Sequence, residues 1–182
     1  MRRIVLTFGL IAGAVLSAML LLSATFMDQI GFDRGMIIGY ASMVAAFLMI
    51  HFGIRSYRDT VLGGTIRFWP AFRVGLLIML VGAVCYTATW QLVFYRLQPD
   101  FVDKMATYEI DKAIKAGASA AVIDAKRREM HEFGELYKKP LVNIGFTMLE
   151  PTPVGILISL ISAIGLSRKR REELSPVGIG VS

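Results

Sequence analysis

The sequence predicts an all-α integral membrane protein: a four-helix bundle with an extramembrane helical hairpin between spans three and four. Three observations carry this. Apolar stretches near the roughly 20 residues that a spanning helix needs occur four times, at about residues 4–27, 36–54, 74–97 and 141–166. Basic residues flank these stretches, as they do where a chain leaves a bilayer. Between the third and fourth stretch lies one long polar segment, about residues 99–139, in which the charges nearly balance. With 55% hydrophobic residues in 182 and a mean hydropathy of +0.58, the chain is too apolar for a soluble domain of its size, so a single membrane domain is expected. The net charge of +6 is then topology information rather than a sign of nucleic acid, which is not expected as a partner.

The first run follows Met1-Arg2-Arg3, which resembles the charged start of a signal peptide, but the run is about twice as long as a signal core. It reads as an uncleaved span. Gly9, Gly13 and Ser17 recur four residues apart, which sets them on one face where another helix can approach closely. Packing, rather than a dedicated dimer, is the expected use. A short polar turn, residues 28–35, leads into the second span, with small residues at Gly39 and Ser42 and His51 near its far end. His131 is the only other histidine and lies in a different region, so His51 is expected to be an interfacial residue and not a metal ligand.

Residues 55–73 read as an amphipathic connector, with Arg55, Arg58, Arg67 and Arg73 around Gly63-Gly64 and the aromatics Phe68 and Trp69. No phosphate-cradling glycine pattern occurs there. These arginines are expected to meet anionic lipid headgroups, as are Arg168, Lys169, Arg170 and Arg171 at the start of a basic tail, residues 167–182. The third span carries Tyr86, Thr87, Thr89, Trp90 and Gln91 in its second half. Its Cys85 is the only cysteine, so neither a disulfide nor a multi-cysteine metal site can form within one chain. A packing role is expected.

In the polar segment, Pro99-Asp100 can start a helix running to about Lys115. Gly117 can stop it, and Ser119 can cap a second helix from Ala120 to Tyr137. Phe101, Met105, Tyr108 and Ile114 approximate an apolar face on the first; Val122, Met130, Phe133 and Tyr137 form a ragged stripe on the second. A solvated hairpin lying over the bundle mouth is expected. Its acidic pairs three apart, such as Glu129/Glu132, lack a nearby histidine or a glycine-shaped loop, so no metal is expected there.

The fourth run is interrupted by Glu150-Pro151-Thr152-Pro153. At 1.5 Å per residue, Glu150 falls near the bilayer midplane, where an ionisable side chain costs roughly 2.5 kcal/mol or more and must face protein or water. A carboxyl at that depth is expected to be neutral at pH 7. Counting back from the span ends places Ser17, Tyr86, Thr87, Thr89 and Gln91 at about the same depth. Together with Glu150 they form the one candidate intramembrane polar site. It reads as a proton or cation relay or a polar ligand pocket, or else as a protonated glutamate bonded across helices to fix the packing.

Placing both termini on one side divides the 20 Lys and Arg evenly, so the count alone decides nothing. Position does. One side's basic residues all lie in short tails or one short connector, whereas many of the others lie in the hairpin, away from span ends and among acids. Both termini are therefore expected to face the cytoplasm.

The order of these features resembles a family. Gly39-Tyr40-Ala41-Ser42-Met43, Phe52-Gly53-Ile54-Arg55-Ser56-Tyr57-Arg58-Asp59, Leu62-Gly63-Gly64, Gly117-Ala118-Ser119-Ala120, Tyr137-Lys138-Lys139-Pro140 and the run from Pro153 to Ala163 are similar to the small bacterial membrane proteins grouped as domain of unknown function 4199. The resemblance covers almost the whole chain and implies a multi-pass protein of the bacterial inner membrane. It supplies no activity and no catalytic residue. The leading function class is a structural or accessory module that binds protein or lipid partners. The other is a small proton- or cation-linked transporter or channel-like subunit using Glu150, working as a homo-oligomer because four helices enclose little volume. No nucleophile–base pair or metal set is evident, so neither an enzyme nor a cofactor is expected. The expected partners are membrane lipids and a second copy or another membrane protein.

Overall fold

The computed structural model describes residues 1–167, apart from the side chain of Asp28. Every regular element among them is helical: α1 (Arg2–Thr25), a single turn α2 (Met27–Ile30), α3 (Phe32–Val61), α4 (Phe68–Leu92), α5 (Phe101–Lys115), α6 (Ala120–Tyr137), α7 (Pro140–Leu149) and α8 (Thr152–Ser167). A five-residue π-helical turn, Val93–Leu97, continues α4. Four stretches are long and apolar enough to cross a membrane: Arg2–Thr25, Phe32–Val61, Phe68–Leu97 and Pro140–Ser167. Each coincides with one of the four apolar runs.

The side chains on these stretches are distributed as they are when the outer solvent is hydrocarbon. Ser42, Thr87, Thr147, Ser159 and Ser162 are buried, while Ile37, Leu80 and Leu157 face outward. Inside a bilayer, small residues and polar contacts, rather than the hydrophobic effect, hold helices together. Helix α4 is the hub, touching α1, α3 and α8. The face predicted from Gly9 and Gly13 is the one that α4 meets. A Cβ added at either would stand 2.6 Å from the Cβ of Val81 or Cys85. Ser159 of α8 closes on Gly75 of α4 in the same way, 2.8 Å from such a position.

The connector between α3 and α4 is shorter than the expected residues 55–73. Helix α3 continues to Val61 and α4 begins at Phe68, leaving residues 62–67 between them. Charge marks where a chain leaves an apolar layer, not where a helix ends. Nothing in residues 55–61 breaks a helix, and an Arg55–Asp59 pair at i,i+4 supports it. Gly63 and Gly64, at φ +68° and +98°, then stop α3, and the N–H of Gly64 bonds the carbonyl of Arg58 at 2.9 Å. Pro70 falls in the first turn of α4, where its missing N–H has no intrahelical partner to lose.

The hairpin forms with the expected boundaries. Gly117, at φ +74°, ends α5 and Ser119 precedes α6. Helices α5 and α6 pack on each other, closely enough that a Cβ on Gly134 would stand 2.8 Å from Val102. A small apolar cluster of Trp90, Val93, Phe94 and Val102, with Phe101 and Tyr137 against it, seats the hairpin on the end of α4. The stripes are not covered along their whole length; Ile114 and Val122, near the turn, are exposed.

Candidate functional site

Glu150 follows α7 at the break before α8. Its own N–H still bonds the carbonyl of Phe146 at 3.1 Å, but Pro151 and Pro153 supply no donors to continue the helix. Thr152 Oγ1 caps the carbonyl of Met148 at 2.7 Å, and the next backbone bond runs from Gly155 to Pro151 at 3.0 Å. The break leaves the Glu150 carboxyl directed at α4, where the hydroxyl of Tyr86 donates to its Oε2 at 3.0 Å. Among the described residues, Tyr86 is its only hydrogen-bonding partner and no Lys or Arg pairs with it.

Both side chains line a cavity of about 430 Å³. Helices α1 and α3 form two walls, with Leu16, Leu20 and Ser23 on one and Gly35, Gly39, Ser42 and Met43 on the other. Trp90 of α4 and Tyr137 of α6 contribute rings, and Phe101, Met105, Tyr108 and Glu109 of α5 close it from the hairpin side. Small residues on α3 make the room: a Cβ added at Gly39 would meet nothing within 4 Å. Among the described residues no Lys, Arg or His lines the space.

The hairpin is fastened over this cavity by three sets of contacts. Phe32 stacks on Tyr108 with centroids 5.0 Å apart, and Phe101 meets Trp90 edge-on at 4.9 Å. Trp90 Nε1 donates to the Tyr137 hydroxyl at 3.1 Å, and Gln98 Nε2 donates to the Ala24 carbonyl at 2.5 Å. At the rim, the Tyr108 hydroxyl donates to Asp33 at 2.5 Å and Lys112 Nζ stands 3.4 Å from the same oxygen. The bond to Asp33 holds the Tyr108 hydroxyl above its ordinary range. The Lys112 ammonium is raised too, by its contact with Tyr108 first and by Asp33 second. At neutral pH the phenol therefore remains a donor and the lysine a cation.

The six residues expected at one depth do not form one site. Successive α-helical residues are 100° apart, so equal depth does not mean a shared direction. Tyr86 faces Glu150. Thr89, on the face towards α1, lies 2.7 Å from Ser17 Oγ and 2.9 Å from the Cys85 carbonyl, so those hydroxyls satisfy each other and the backbone. Thr87 and Gln91 face α7, where Thr87 Oγ1 meets Met148 Sδ at 3.6 Å and Gln91 Nε2 donates to Asn143 Oδ1 at 2.7 Å. Thr87, Thr89, Ser17 and Gln91 do not line the cavity.

Asn143 was not singled out by the sequence, yet it is fully buried and its Nδ2 has no partner among the described residues. An amide inside an otherwise apolar run is the signal that marks it. Of the expected headgroup contacts, Arg55, Arg67 and Arg73 are exposed, whereas Arg58 is buried and bonds Asp59 at 2.6 Å. Arg168, Lys169, Arg170 and Arg171 lie outside the described residues.

A family model described as "Protein of unknown function (DUF4199)" matches residues 7–168. The chain belongs to this family. The matched region contains every residue that lines the cavity, from Leu16 to Glu150, so the site lies within the family's defining segment. No curated protein and no solved structure matches the chain.

Proposed function

We propose that this DUF4199 protein is a multi-pass accessory module of the bacterial inner membrane that binds a lipid or another membrane-soluble molecule in the cavity beside Glu150. Its four long apolar helices form a bundle across the bilayer with both termini cytoplasmic, and the α5–α6 hairpin covers the cavity from the opposite side. The observation that carries this reading is the 430 Å³ space itself, apolar on most sides with a Tyr86–Glu150 pair on one wall. Sites for small apolar molecules are lined in this way, with a few polar groups that fix orientation.

A cavity-filling substitution tests the reading. Gly39→Phe adds a ring where a Cβ meets nothing, so it fills the space without displacing a packed neighbour. Protein purified in mild detergent is expected to carry a bound membrane-soluble molecule by native mass spectrometry, and the variant is expected to lose it. The same bound masses in both proteins would contradict the proposal. The position of Glu150 on the cavity wall also favours a second reading, transport of a cation or proton through this site. In that case Glu150→Gln abolishes flux into proteoliposomes although the protein still inserts.

A further inference from the structure

The cavity's lining is one-sided in charge. Among the described residues its ionisable lining consists of Glu150, Glu109 and tyrosines, with no basic side chain. Glu109 is partly answered by Lys126, at 3.8 Å. Among the described residues no cation answers Glu150, and since Tyr86 occupies Oε2, its Oε1 is without a described partner. An anionic headgroup here would find no cation among the described lining residues to offset its desolvation. A positive group instead finds a carboxyl for Oε1 contact, the rings of Trp90, Tyr86 and Tyr137, and the polarizable thioethers of Met19 and Met43.

We propose that the cavity takes a lipophilic organic cation, its charge placed against Glu150 and its apolar body between α1 and α3. The inference rests on the reading of the cavity as a ligand site and adds the ligand's charge. A Glu150 that is protonated before the cation arrives releases its proton to water, and the carboxylate then carries the charge that the ligand meets.

The test uses two ions of the same shape and opposite charge, tetraphenylphosphonium and tetraphenylborate, with the full chain in nanodiscs and binding read above partition into empty nanodiscs. Tetraphenylphosphonium is expected to bind more tightly than tetraphenylborate, and Glu150→Gln is expected to weaken only the cation, by about tenfold or more. Gly39→Phe should remove cation binding. If both ions bind alike, Glu150→Gln alters neither and Gly39→Phe abolishes both, the ligand site stands and its selectivity for cations is overturned. Cation binding that persists in Gly39→Phe places the ion elsewhere and overturns both. If the wild type retains a native bound molecule but binds no tetraphenylphosphonium, the charge inference alone fails.

Discussion

At the scale of single residues, the bond from the Tyr86 hydroxyl to the Glu150 carboxyl is central. Infrared difference spectra at pH 7 are expected to show a carboxylic C=O band that disappears in Glu150→Gln; a carboxylate band lost in that variant instead would mean the group is ionised. Tyr86→Phe should shift the C=O band by removing its donor and cost about 1 kcal/mol, the usual size of one hydrogen bond between membrane helices. Glu150→Ala should be more damaging to folding than Glu150→Gln, which keeps shape and hydrogen bonding; thermal unfolding of the purified variants checks the order. Glu150 was legible because it is the one acid inside the fourth apolar run. Its partner was legible only as one of several residues at matching depth. Sequence spacing gives depth along a helix, but azimuth depends on which neighbour each face meets, so Thr89 with Ser17 and Gln91 with Asn143 turned out to be separate contacts.

At the scale of elements, the local signals that proved sufficient were steric. Gly117 and Ser119 set the hairpin's turn, and the spacing of Gly9 and Gly13 marked the face of α1 that α4 meets, because in both cases a Cβ or a helical φ is excluded. Where the signal was charge, at Arg55 and Arg58, the helix ran on, because ionic side chains are compatible with helical backbone. Gly13→Leu should therefore destabilise the α1–α4 contact by about 2 kcal/mol through overpacking, measured by chemical unfolding in micelles. The hairpin's docking was not legible, since the stacking of Phe32 on Tyr108 joins residues far apart in sequence. Hydrogen exchange should find the amides of α5 and α6 protected. Phe32→Ala should raise exchange in Phe101–Lys115 while leaving α1 and α4 unchanged; uniform protection after that change would show that the hairpin is held by something else.

At the scale of the whole molecule, the cavity between the spans and the hairpin matters only if the four long helices cross a bilayer and the hairpin covers one side. The chemistry of Glu150 depends on it, because a carboxyl in water needs no partner and no proton, whereas one surrounded by hydrocarbon needs one or the other. The sequence supports the crossing through run length, and the fold supports it through buried small and polar residues beneath an apolar exterior. Cysteine labelling in intact cells tests this most directly. In a Cys85→Ala background, an impermeant maleimide added from outside is expected to modify a cysteine at Ser119, in the hairpin turn, and not one at Thr65, between α3 and α4, until the membrane is opened. Labelling of Thr65 but not Ser119 would invert the protein, and equal labelling of both in sealed cells would contradict the four-span arrangement itself.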